Sequence, residues 1–91
     1  MGLKSVDVVI TGRVQGGFFR ARTQEQAARL GIAGWVSNEP DGSVAAHFEG
    51  EPAQVEEIVA WCRTGPEYAR VEQVRVTEAA PAGGDGFDVR G

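Results

Sequence analysis

An α+β sandwich, two helices on one face of an antiparallel sheet, is the fold class this chain predicts. Two observations carry it. Apolar alternation and helical periodicity follow one another in the order strand, helix, strand, strand, helix, strand, with a short strand at the end. Between the two middle strands stands Glu39-Pro40-Asp41-Gly42, a strong turn signal, so those strands form a hairpin. With right-handed crossovers this order gives the split β-α-β, ferredoxin-like arrangement: βαββαβ plus a short C-terminal strand. Ninety-one residues suit one domain, residues 1–91, with one modest core.

Each element has its own signal. In the first strand Val6, Val8 and Ile10 point one way and Asp7, Val9 and Thr11 the other. Gly16 and Gly17 then open a loop whose backbone reaches conformations closed to other residues. Ala21 to Leu30 is rich in helix formers, with Thr23, Ala27 and Leu30 on one side and Gly31 as its stop. Ile32 to Asn38 is strand-like around Trp35 and Val36, and after the turn Val44, Ala46 and Phe48 share a face. The second helix starts at Pro52, with Glu56 and Glu57 expected to favour its positive end. Val55, Ile58, Val59 and Cys62 follow the helical repeat, and Gly65-Pro66 ends it. Arg70 to Glu78 is a strand with Val74 and Val76 facing in. Ala79 to Gly86 is a loop of small residues, and Phe87 to Arg90 adds the last strand.

Composition narrows the function. Apolar and charged fractions of 42% and 24% are those of a globular chain. No apolar run is long enough to span a bilayer, and the N-terminal stretch lacks a hydrophobic signal core, so no membrane role is expected. Cys62 is the single cysteine and has no internal partner, which points to a reducing, cytoplasmic setting. A net charge of −4 argues against a nucleic-acid partner. Yet Arg13, Arg20, Arg22 and Arg29 cluster in the first third, where the acidic residues are Asp7 and Glu25. A locally cationic pocket on an acidic protein fits a small anion.

The segment Ile10 to Arg20 is where that anion belongs. A strand runs into a glycine-containing loop, and the loop ends in an arginine where a helix begins. Converging N–H groups, a helix N-terminus and a guanidinium suit a phosphate-sized dianion, although an ordinary joint with a solvated arginine has the same spacing. Asn38 closes the strand before the hairpin turn. Its amide either points into the same cavity or serves the turn locally.

Taken together these residues resemble a known family. Gly12-Arg13-Val14-Gln15-Gly16-Gly17-Phe18-Phe19-Arg20 is similar to the acylphosphatase signature, glycine-x-valine-glutamine-glycine-x-x-aromatic-arginine. Gly34-Trp35-Val36-Ser37-Asn38, then Gly42-Ser43-Val44 and Gly50, resembles the family's second signature, and Gly86-Phe87-Asp88-Val89-Arg90 its last strand. The resemblance implies a ferredoxin-like fold and hydrolysis of small acyl phosphates to carboxylate and inorganic phosphate, without metal or cofactor. It implies that Arg20 and the amides of Gln15, Gly16, Gly17, Phe18, Phe19 and Arg20 hold the phosphate, and that Asn38 orients the water. Phosphate as product would then inhibit. The chain departs at Gly17, where the family usually has valine, and at Ser37, where a basic or long polar residue is common. The second adjacent glycine should cost roughly 0.5–1 kcal/mol when the loop is ordered.

Other readings compete. A non-catalytic anion- or ligand-binding module of the same fold would bind phosphate without turnover. An RNA-recognition domain of this topology is suggested by the aromatic-arginine run and opposed by the acidic balance. His47 falls on the Ala45/Glu49 face of its strand and is expected to be solvated. Cys62 is expected to fill the core. One of Phe18 and Phe19 should pack beneath the loop, and a monomer is the simpler expectation.

Overall fold

In the computed structural model, which describes residues 2–16 and 18–91, β1 (Lys4–Arg13) alternates as its sequence requires. Val6, Val8 and Ile10 are buried, and Asp7 and Val9 are exposed. The ladder slips by one residue between Thr11 and Gly12 against β4 (Arg70–Glu78). Gly12 sits there at φ +122°, where a Cβ would overlap the Arg70 carbonyl. That bulge re-aims the chain into the loop that follows.

Helix α1 (Phe19–Leu30) begins two residues earlier than its helix formers predict, so Phe19 and Arg20 belong to its first turn. It stops at Gly31, whose φ of +69° turns the chain so that the Ile32 N–H reaches back to the Ala27 carbonyl, 2.9 Å. β2 (Ala33–Asn38) and β3 (Val44–Gly50) form the expected hairpin. Helix α2 (Pro52–Thr64) has Pro52 in its first turn and ends at Gly65. Its first turn holds no acidic residue: Glu56 and Glu57 come one turn too late, and Glu57 instead meets Arg29 at 3.0 Å.

The sheet order is β4-β1-β3-β2-β5, with β5 spanning Phe87–Arg90. The expectation of a wholly antiparallel sheet is corrected at one edge, because β5 pairs parallel with β2, from Gly34–Phe87 to Ser37–Arg90. Two consequences follow. The segment 79–86 leaves one edge of the sheet and must reach the other. And β5 runs toward the same end as β2, so its last residues arrive beside Asn38.

Both helices cover one face, where Phe19, Ala27, Val55, Ile58 and Cys62 meet Val6, Val8, Ile10, Val36, Ala46 and Phe48. Each large apolar side chain buried here stabilises the fold by about 1.5–3 kcal/mol. Val76 lies opposite Val8 on this inner face, yet it is 39% exposed, because β4 is an edge strand. No helix among the described residues is long and apolar enough to cross a membrane.

Candidate active site

The site grows out of the β1–α1 joint. Val14 is buried and anchors the start of the loop, and Gly16 turns at φ +80°. Phe18 stands before the helix in the left-handed region, at φ 66°, and makes no side-chain cap. The first intrahelical bond runs from the Arg22 N–H to the Phe18 carbonyl, 2.9 Å. The N–H groups of the turn before it have no carbonyl behind them within the helix, and no acidic residue of that turn competes for them. Such an end attracts an anion through both its free donors and the helix dipole.

Arg20 is half-buried in that first turn. Its Nη1 donates to the carbonyls of Arg90 and Gly91, 2.8 Å each. These two backbone oxygens orient the guanidinium, and among the described residues Nε and Nη2 keep their donors free. Gly91 reaches this position through a close approach. At φ +74°, a Cβ on it would lie 2.9 Å from Ser37 Oγ and 3.0 Å from the Asn38 carbonyl.

Asn38 is the last residue of β2, paired with Val44 and half-buried. A cavity of about 320 Å³ is lined by Gly16, Phe18, Arg20 and Asn38, with Val14 and Val89 in its apolar wall. The two residues singled out from the sequence therefore face one space. Gly17 lies outside the described residues, and with it the expected loosening of the loop. Phe19 is the aromatic that packs beneath: it is 2% exposed and meets the Trp61 ring at 5.6 Å, whereas Phe18 is 72% exposed at the rim.

Gln15 does more than supply a backbone amide. Its side-chain Nε2 donates to the carbonyls of Glu39 and Ser43, 2.7 Å each, tying the loop to the turn that follows Asn38. The turn is stiffened in its own right by Asp41, whose carboxylate accepts from Ser43 N and Oγ at 2.9 and 2.6 Å. Those bonds hold the Asp41 carboxyl below its usual range. The cationic cluster expected in the first third is corrected to one cation at the cavity. Arg22 pairs with Glu25 and Arg29 with Glu57, both at 3.0 Å, and Arg13 is exposed at the end of β1.

The expectation for His47 is also corrected. It lies on the face away from the helices, as its alternation requires, but it is 5% exposed. Its Nδ1 is 2.7 Å from an Asp7 oxygen and its Nε2 2.8 Å from a Glu49 oxygen. Segment 79–86 crosses this face, and Glu49 accepts the N–H groups of Ala82 and Gly83. Cys62 fills the core, and burial pushes its thiol up to about 12.

Fold and cavity define a ferredoxin-like α+β domain with Arg20, Asn38 and the start of α1 around one cavity. The sequence profile described as Acylphosphatase matches residues 6–89. The chain is 57% identical over 88 residues to an acylphosphatase of Rubrobacter xylanophilus, covering 96% of this chain and 80% of that one. Its structure superposes on an acylphosphatase from Coxiella burnetii with a TM-score of 0.93 at 32% identity, covering 97% of this chain and 93% of that one. For the acylphosphatase from Bacillus subtilis the score is 0.91 at 31% identity, over 97% and 98%. The chain belongs to the acylphosphatase family.

Proposed function

We propose that the cavity between the β1–α1 loop and Asn38 is where this enzyme cleaves the carboxyl–phosphate bond of small acyl phosphates. Family membership makes the chain an acylphosphatase, a hydrolase of that bond. The residue roles are our reading, and one observation carries them: the free donors of Arg20, the uncapped helix end and Asn38 line a single space.

The chemistry asks little of the protein. An acyl phosphate expels a carboxylate, whose conjugate acid has a pKa of about 4, so the leaving group needs no proton donor. What remains is to hold the phosphoryl group, spread its charge and aim one water in line. Arg20 and the amides of residues 15–20 do the first two, by charge-assisted bonds to the equatorial oxygens. The Asn38 carboxamide bonds the attacking water, and the substrate's own phosphate oxygens take its proton. With the substrate's own phosphate as proton acceptor, the chemical step has a shallow pH profile near neutrality. We take the working form to be a monomer and its setting to be the cytoplasm, the setting being supported by the single, unpaired Cys62.

The test is hydrolysis of a simple acyl phosphate by wild type, Arg20→Ala and Asn38→Ala at matched folding. Arg20→Ala should lose both phosphate affinity and rate. Asn38→Ala should lose kcat while KM and phosphate inhibition stay close to wild type. Equal activity in all three would move the site elsewhere. Phosphate binding without turnover in wild type would favour a binding module.

A further inference from the structure

The one buried ionic cluster among the described residues lies on the opposite face from the helices and takes no part in the mechanism above. Both ring nitrogens of His47 sit within hydrogen-bond distance of carboxylate oxygens, Asp7 on β1 and Glu49 on its own strand. Carboxylates only accept, so both nitrogens must donate, and the ring in this geometry is the imidazolium. Glu49 is equally enclosed, its side chain 6% exposed like that of His47, whereas Asp7 is 58% exposed. A buried carboxylate without a cation is costly, and His47 is the cation here.

Glu49 also grips the crossover. Its two oxygens accept the N–H groups of Ala82 and Gly83, in the middle of the segment that spans the sheet from β4 to β5. Those residues are otherwise exposed and bring no bulky side chains to hold them down. The crossover leads directly into β5, four residues long and at the sheet edge, and the carbonyls of Arg90 and Gly91 at its end hold Arg20. A short edge strand depends on such anchors for its position.

We propose that Glu49, held by His47, is a positioning residue for Arg20, acting through the crossover and β5, and that the hold slackens when the imidazole loses its proton. This rests on the reading of Arg20 as the cation that grips phosphate. The other groups around the imidazole are few. Ser5 lies opposite Glu49 on β1, and its Oγ makes no hydrogen bond among the described residues, so it does not replace the imidazolium. Trp35 lies opposite His47 on β2. Asp85 and Asp88 line the adjoining cavity of about 340 Å³ together with Arg90, whose guanidinium stacks on Trp35 at 5.0 Å. Arg75 is on the same sheet face, opposite Val9 on β4. The cavity leaves the crossover room to lift and water room to enter.

The sign follows from the two partners. Burial pulls the His47 ring down, but its bonds to Glu49 and Asp7 leave it above its ordinary 6.5. The bond from His47, then that from Ala82, holds Glu49 below 4.5 against burial. The stabilisation from the imidazolium is therefore complete below about 6.5 and is lost as pH rises through the raised value of the folded state. That from the carboxylate is complete above about 4.5 and is lost as pH falls through the lowered value. The latch is closed between those two folded-state values.

The test combines amide exchange and kinetics on wild type, His47→Gln and Glu49→Gln. In wild type, protection of the Ala82 and Gly83 amides, corrected for intrinsic exchange, should fall at least about tenfold as pH passes the His47 titration. Inhibition by inorganic phosphate and KM should weaken together, by about three- to tenfold, with kcat falling alongside by a smaller factor. His47→Gln should start from the open state and show no pH step, and each ratio to wild type at one pH cancels phosphate's own ionisation. Glu49→Gln should weaken phosphate likewise. An exchange step without an affinity change overturns the coupling to Arg20, as does an equal fall in kcat and kcat/KM. If Arg20→Ala binds phosphate like wild type, the reading of Arg20 fails instead, and the proposal with it. Should His47→Gln not fold, Glu49→Gln supplies the reference ratio at each pH, beside the wild-type exchange series.

Discussion

Truncating Gln15 should damage the enzyme without touching any atom that meets the substrate. The side chain makes two bonds of 2.7 Å, to the Glu39 and Ser43 carbonyls. Neither acceptor is orphaned in Gln15→Ala, because Glu39 O keeps the Gly42 N–H at 3.0 Å and Ser43 O keeps the Glu39 N–H at 2.9 Å. The loss is then the net worth of two neutral bonds, about 0.5–1.5 kcal/mol each, or about 1–3 kcal/mol together. For a domain of this size that lowers Tm by about 5–15 °C. Part of the loss is the link between the β1–α1 loop and the hairpin that carries Asn38, so kcat/KM should fall by roughly tenfold. Gln15→Glu should be worse than Gln15→Ala, since a carboxylate donates nothing and faces two carbonyls. Thermal unfolding with and without phosphate, alongside acyl phosphate hydrolysis, reads both effects. Wild-type kcat/KM and Tm in Gln15→Ala, or a Gln15→Glu enzyme better than the alanine variant, would refute the reasoning.

Three further outcomes follow from the same geometry. Phe18→Gly removes an exposed ring from a left-handed backbone position and should raise stability by about 0.5–1 kcal/mol, read as the denaturant midpoint; a loss of that size would mean the ring packs usefully. Gly34→Ala should cost more than about 3 kcal/mol or prevent folding, because at φ +140° a Cβ would overlap the His47 carbonyl; near-native circular dichroism and Tm would contradict this. Cys62, with its thiol pushed up to about 12 by burial, should resist a thiol reagent at pH 8 until the chain unfolds. Labelling as fast in the native protein as in urea would show the core to be open.

The elements that alternate strictly were legible from their own residues. Val6, Val8 and Ile10 against Val44, Ala46 and Phe48 define two neighbouring strands, because burial on one face leaves no freedom of register. The start of α1 was less so. Phe18 takes a conformation that few phenylalanines adopt, and helix propensity carries no signal for the turn it sets up. The place of β5 was hidden as well, since four residues do not say which edge they join. That ambiguity concealed His47 and Glu49. Outward positions on a sheet with helices on one face ordinarily meet water. Here they do not, because β4 and β5 occupy opposite edges and the crossover between them covers the face. The run of small residues from Ala79 to Gly86 is the trace of this in the sequence: only a slim segment lies flat there. At the site, Arg20 and Asn38 were legible as a motif. The side-chain role of Gln15 was not, because a side-chain amide reaching a distant turn leaves no periodic mark.

Titration with inorganic phosphate, followed by the chemical shifts of the backbone amides and of the Arg20 and Asn38 side-chain N–H groups, tests the central claim most directly. The largest shifts should fall on the amides of residues 15–20 and on Arg20 Nε, with the Asn38 carboxamide responding and the Trp35 indole silent. Shifts centred on Trp35, Asp88 and Arg90 would contradict it, and would place the anion on the other side of the sheet.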